Sequence, residues 1–253
     1  MDSTQRFSNR ADNYVKYRPG YPPAILADLE EETGYTPDWV VADIGSGTGI
    51  STQPFLEQGS IVYGVEPNEA MRKKAEAALH SYDRFFSMDG TAEATGLAAG
   101  SIDLVIASQA FHWFNPLASR KEFRRILRGE GYTALIWNER QIDTPFERAY
   151  EDLLLKYAID YTTVNHKNIS EDKIRAFFDP QPFRLRIEGN EQTFDQEGFK
   201  GRVLSSSYMP DEYQPAYNDM LKDIDRIFLE HQQQGAVRVN YLTKLYVGVL
   251  NYL

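Results

Sequence analysis

Apolar runs of strand length alternate with amphipathic, helix-forming stretches over the first 140 positions of the chain. The run Trp39-Val-Val-Ala-Asp-Ile44 reads as a buried parallel strand, since it is apolar on both alternations and closes on a glycine cluster. Ser60 to Glu66 reads as a second strand, Arg84 to Met88 as a third, Ile102 to Ala107 as a fourth and Tyr132 to Trp137 as a fifth. Helical composition fills 24–32, 50–58, 68–81 and 117–127, with Asn68 placed as an N-cap and Gly34, Gly59 and Gly129 placed as stops. Farther on, 145–178 reads as helical and Phe183 to Phe194 alternates like a strand. Residues 199–234 read as helix in two pieces around Pro210 and Pro215, and Val237 to Leu250 alternates again as a closing edge strand.

Strands alternating with helices predict an α/β fold built on a doubly wound parallel sheet. The pattern suits one domain over 1–253, with an N-terminal cap segment at 1–36, a core at 37–140 and a helical insertion or lid at 196–235. Ligands in such sheets sit beyond the carboxyl ends of the strands, so chemistry is expected after Asp43, Glu66, Met88, Ala107 and Trp137.

Composition narrows the function classes. Lys and Arg number 27 against 37 Asp and Glu, a net charge of −10 that weighs against nucleic acid or an anionic membrane as partner, though not against a local basic pocket. The chain has no cysteine, which excludes disulfides, thiolate metal sites and cysteine nucleophiles. His80, His166 and His231 lack the spacing of metal ligands, and no metal is expected. The first residues lack the apolar region of a secretory signal, and no run approaches the ~18 apolar residues of a membrane span. A cytoplasmic protein, monomeric or homodimeric, is the expectation.

The strongest chemical signal is Asp43-Ile-Gly-Ser-Gly-Thr-Gly49. Glycines allow a tight turn and close approach of a ligand to the backbone, and the helix start that follows offers free N–H groups to an anionic group. The dinucleotide pattern of three glycines fails, because Ile50 stands where the third would be. Asp43, two residues ahead of the loop, suits a ligand carrying an ammonium rather than a pyrophosphate. Glu66, 19 residues past Gly47, is placed to accept both hydroxyls of a ribose.

These segments, together with Glu66-Pro-Asn68 and Met71, Gly90-Thr-Ala-Glu93 and Ile102 to Trp113, resemble the ordered motifs of class I S-adenosylmethionine-dependent methyltransferases. The tracts Tyr17-Arg-Pro-Gly-Tyr-Pro22 and Phe111-His-Trp-Phe114 look most like the trans-aconitate and small-molecule type 11 branches. The resemblance implies a Rossmann-like, seven-stranded sheet whose last strand runs antiparallel, and S-adenosyl-L-methionine as cofactor. It implies that Asp43, Gly45, Ser46 and Gly47 hold the methionine end, Glu66 the ribose, and Pro67 and Met71 the adenine face. Gly90, Thr91, Ala92 and Glu93 would meet the adenine edge. Ser108, Gln109 and Ala110 would floor the reacting centre, and Tyr14, Tyr17 and Arg18 would close over the cofactor from the N-terminal segment. Family members often carry Asp where Thr91 stands, so here a hydroxyl or Asp89 would serve the adenine amino group.

Several side chains admit two readings. His112 and Tyr14 are candidates for a general base, or a packed loop imidazole and a brace. Trp113, Arg140 and Tyr208 are candidates for contact with a small-molecule acceptor; if that acceptor is a carboxylate, Arg18 or Arg140 would offset its charge, and the other readings make Trp113 the cover of a sheet edge and Tyr208 core. Two rival functions share the strand–loop–helix–acid logic: a non-catalytic module of the same fold, and a nicotinamide-dependent oxidoreductase, against which Ile50 and Asp43 count.

Overall fold

The computed structural model describes residues 16–159, 171–206 and 208–250. Seven strands form one sheet: β1 (Val40–Ile44), β2 (Ile61–Val65), β3 (Phe85–Met88), β4 (Ile102–Ser108), β5 (Leu127–Arg140), β6 (Phe183–Phe194) and β7 (Val237–Val249). Their order is β3-β2-β1-β4-β5-β7-β6. β7 pairs antiparallel with both β5 and β6, and the other neighbouring pairs are parallel. The expected seven-stranded, mostly parallel sheet with an antiparallel last strand is present. The placement of the last strand differs from the sequence expectation: β7 lies inside, between β5 and β6, and β6 is the edge. Its burial explains this, since Val239, Tyr241, Leu245 and Val247 are almost fully covered.

Helices α1 (Ala24–Thr33), α2 (Gln53–Gln58) and α3 (Glu69–Ala78) cover one face of the sheet. Ile25, Leu29, Phe55, Leu56 and Leu79 pack there on Val41, Val62, Leu104, Ile106, Ala134 and Ile136. The other face carries α4 (Pro116–Ile126) and α6 (Glu171–Phe178), whose Phe123, Ile126, Ile174, Phe177 and Phe178 meet Ala42, Ile44, Val105, Ala107, Leu135 and Trp137. Consecutive strand residues thus serve opposite faces, which is why these runs are apolar throughout. A third cluster gathers α5 (Pro145–Tyr157), α7 (Gln196–Leu204) and α8 (Tyr217–His231) around Tyr150, Phe199, Met220 and Tyr241.

The helix starts follow their local chemistry. Asn68 accepts from the Met71 N–H at 3.0 Å, as its N-cap placement implied. Thr144 and Glu147 form a reciprocal capping box on α5. Gly129 does not end a separate loop: α4 runs straight into β5 at Leu127, and Gly131 lies where a Cβ would stand 2.9 Å from the Asp103 carbonyl. The long helical reading over 145–178 resolves into α5 and α6, with 160–170 outside the described residues, as are Tyr14 and His166. No helix among the described residues is long and apolar enough to cross a membrane.

Candidate active site

β1 ends in the glycine turn, where the Gly45 and Ser46 N–H groups donate to the Val65 carbonyl at 2.8 and 3.2 Å and tie the loop to the end of β2. Gly45 has φ +71°, and a Cβ there would stand 2.7 Å from the Ala110 Cβ, so only glycine lets the turn approach the end of β4. Two cavities open on either side of this turn and share Gly45, Gly47, Ser108 and Gln109 as a common wall.

The first, about 860 Å³ of space open to solvent, is lined by Glu66, Pro67, Asn68, Met71, Thr91, Ala92, Glu93, Ala110, Trp113 and Phe114. The Glu66 carboxylate accepts from the Gly47 N–H at 3.0 Å and the Asn68 N–H at 2.8 Å, one on each oxygen. Burial raises its pKa above the usual carboxylate value, and these amides and Arg72 oppose that rise. Glu93 accepts from the Asn115 N–H at 2.8 Å, and Thr91 Oγ1 accepts from the Ala94 N–H.

The second cavity, about 750 Å³ and open to solvent, is lined by Ser46, Thr48, Ile50 and Ser51 from the loop. Across it stand Arg18, Pro19, Tyr21, Asn138, Arg140, Arg202, Tyr208 and Tyr241. Among the described residues its wall has three arginines and no carboxylate, whereas the first cavity has two glutamates and no lysine or arginine. The cleft is therefore polarised along its length.

The shared wall is unusual in its polar atoms. Ser108 Oγ, Gln109 Oε1 and the neighbouring Thr48 Oγ1 are buried without a hydrogen-bond partner. An unmade bond at a buried group costs ~1–3 kcal/mol, so these three atoms are available to water or to a polar ligand. Gln109 also holds φ +54°, a left-handed conformation rare for a non-glycine residue, while its Nε2 donates to the Asn138 carbonyl at 3.0 Å.

Several expected site residues stand elsewhere. Asp43 is fully buried beneath the loop and lines neither cavity. Its Oδ2 takes the Ser51 and Thr52 hydroxyls at 2.7 Å each, bracing the loop from below. Gly90 lies off the wall, where a Cβ would meet the Thr95 carbonyl at 2.8 Å. His112 also lines neither cavity; burial pulls its pKa down to about 4 and its ring lies 4.7 Å from that of Trp113. Trp113 stands on the Glu66 side rather than with Arg140 and Tyr208. Asp89 is exposed and ion-paired with Arg72.

The N-terminal segment reaches this site as a strap. Gly20 carbonyl accepts from Asn138 Nδ2 and Asn190 Nδ2 at 3.0 and 2.9 Å, and Arg18 donates to the Ser205 carbonyl at 3.3 Å. Tyr17 packs on α7 at Gly201, its carbonyl accepting from Gln192. Asn138, Arg202 and Tyr241 were missed by the sequence reading. No local motif marks them, because they meet only through the pairing of β5, β7 and α7.

The seven-stranded sheet has the Rossmann-like fold of solved methyltransferase structures. Residues 42–135 match a family described as a methyltransferase domain. An uncharacterised methyltransferase of Mycobacterium tuberculosis is 33% identical over 146 residues, 55% of this chain and 54% of that protein. The chain thus spans about half the length of the curated relatives it matches. A structure solved as a candidate type II methyltransferase from Anaeromyxobacter dehalogenans superposes with TM-score 0.69 at 23% identity, covering 93% of this chain and 100% of that one. Geranyl diphosphate C-methyltransferase from Streptomyces coelicolor, solved in complex with Mg2+, geranyl-S-thiolodiphosphate and S-adenosyl-L-homocysteine, shares the fold at TM-score 0.50 and 14% identity, covering 89% of this chain and 75% of that one. These similarities do not single out the trans-aconitate branch.

Proposed function

We propose that this chain is an S-adenosyl-L-methionine-dependent methyltransferase acting on a small-molecule acceptor. The observation that carries the reading is the pair of cavities joined over Ser108 and Gln109, one acidic and one basic, beside the glycine turn. The orphaned polar atoms on the shared wall fit a bound polar ligand, and the homocysteine-containing complex on the same fold supports the choice of cofactor.

Glu66 would accept the ribose hydroxyls, its orientation already held by the Gly47 and Asn68 amides. Pro67 and Met71 would pack on the adenine, with Thr91, Ala92 and Glu93 at its edge. Arg18 would meet the carboxylate of the amino-acid end, and Gly45, Ser46 and Gly47 would border it. When bound, the cofactor supplies a methyl group on a sulfonium, which leaves position and desolvation as the protein's task. Alignment alone is worth ~7–11 kcal/mol in well-oriented systems. The left-handed backbone at Gln109 and its side-chain bond to Asn138 would position the wall where the reacting groups meet.

The second cavity would take both the amino-acid end of the cofactor and the acceptor, and among the described residues no aspartate, glutamate or histidine lines it. A carboxylate acceptor suits that wall, since with a free pKa near ~4 it is a nucleophile at neutral pH without giving up a proton. Incubation of the full chain with a metabolite pool and methyl-labelled cofactor, read by mass spectrometry, tests the activity; a labelled small molecule is expected. Tight S-adenosylhomocysteine binding with no labelled product from acids, amines or phenols would favour the non-catalytic module instead.

A further inference from the structure

The three arginines of the second cavity are not equivalent. Arg140 is ion-paired with Glu151 and lies over the Tyr150 ring at 4.5 Å. Arg18 belongs to the strap and faces the Ser205 carbonyl. Arg202 is 6% exposed and meets only neutral oxygens. Its Nε lies 3.3 Å from Tyr241 Oη, and its Nη1 lies 3.5 and 3.4 Å from the Ser205 and Ser206 hydroxyls. Its Nη2 bonds to no described residue, although the side chain lines the cavity.

A guanidinium keeps its proton at physiological pH, so it cannot relieve its burial by becoming neutral. A buried charge without a counter-charge is costly, and hydroxyl partners offset only part of that cost. The planar fork of N–H groups is suited to a carboxylate or phosphate, which it can hold through two parallel bonds. That such a charge is kept in a chain of net −10, on a wall without acids, marks it as a receptor for an anion.

Strand register relates Arg202 to the shared wall of the same cavity. Ser108 lies opposite Ile136, Gln109 reaches Asn138, and Arg140 lies opposite Tyr241, whose hydroxyl holds Arg202. Asn138 and Arg140 are two positions apart on β5, roughly 7 Å at ~3.3 Å per residue. We propose that Arg202 determines acceptor specificity: it anchors an anionic group of the acceptor, a carboxylate or a phosphate, at the Tyr241 end of the cavity while the reacting atom lies over Ser108 and Gln109. The proposal rests on the methyltransferase reading only in naming the ligand an acceptor.

The test uses the full chain as wild type, Arg202→Met and Arg202→Lys. Each is titrated calorimetrically with succinate and, separately, with inorganic phosphate, with and without saturating S-adenosylhomocysteine. One of the two anions is expected to bind the wild type, and the one that binds names the group. Arg202→Met is expected to weaken that binding at least about tenfold, and Arg202→Lys about three- to tenfold because it keeps the charge and loses the fork. Homocysteine-cofactor affinity should stay within about twofold in every variant. Failure of both anions to bind the wild type, or equal binding by the variants, overturns the proposal. So does a tenfold loss of S-adenosylhomocysteine affinity in Arg202→Met, which would assign Arg202 to the cofactor's own carboxylate. If Arg202→Met does not fold, Arg202→Lys decides against the same thresholds. A wild type that binds the anion but not S-adenosylhomocysteine would sink the methyltransferase reading and leave the anion site standing.

Discussion

Gly47 donates its backbone N–H to the carboxylate of Glu66 at 3.0 Å, fastening the glycine turn after β1 to the residue that follows β2. The bond joins two segments of the candidate site. It also leaves lone pairs on both Glu66 oxygens for further donors.

Removing that carboxylate tests the nucleoside site. A hydrogen bond to a charged group is worth ~1.5–3 kcal/mol, so Glu66→Ala should weaken S-adenosylhomocysteine binding by about tenfold or more. Glu66→Gln, which keeps one acceptor oxygen, should lose less. Unchanged affinity in calorimetry would take Glu66 out of the ribose role.

Asp43 makes stability depend on pH. Burial pushes its carboxyl from 3.8 up to about 6, against the pull of the Ser51 and Thr52 hydroxyls. The folded state therefore holds the proton more tightly than the unfolded chain does. The stability this group contributes is complete below about 4 and is lost as pH rises through about 6, a change of ~3 kcal/mol. Thermal unfolding should show wild type losing more stability between pH 5 and pH 8 than Asp43→Asn, which cannot ionise but keeps an oxygen for both hydroxyls. Parallel curves for the two proteins would mean that Asp43 does not carry the effect.

Gly201 controls the strap. A Cβ at this position would stand 2.1 Å from the nearest carbon of the Tyr17 ring. Overpacking of this kind costs ~1–3 kcal/mol, about five- to hundredfold in the docking equilibrium of a displaceable segment. Gly201→Ala should keep its circular dichroism spectrum and be cleaved faster by protease within 16–22. Equal cleavage rates would show that Tyr17 does not secure the segment on α7.

Much of this architecture is legible locally. The runs at 40–44, 61–65 and 102–108 are apolar on both alternations because both sheet faces are covered, and that signature needs no knowledge of partners. β6 matched its sequence boundaries because Phe183 to Phe194 alternates on an edge strand with one face exposed. β7 alternates as well, and its pattern suggested an edge; only its pairing with both β5 and β6 shows that it is interior. His112 illustrates the same limit in the site, since its residue type suggests a base while its burial and its absence from both cavity linings come from packing.

The sequence by itself determined the glycine turn, the acid at 66, the cap at Asn68 and the alternation of strands with helices, because each depends on residues within a turn or two of chain. Tertiary structure alone decided which arginine is left without a counter-charge. Arg140 and Arg202 are alike as residues, but Glu151 is folded against the first and only hydroxyls against the second. Tyr241 reaches Arg202 across 39 positions of chain, and Asn138 reaches Gly20 across 118. Contacts of that range follow from strand order and helix packing, which local periodicity does not encode.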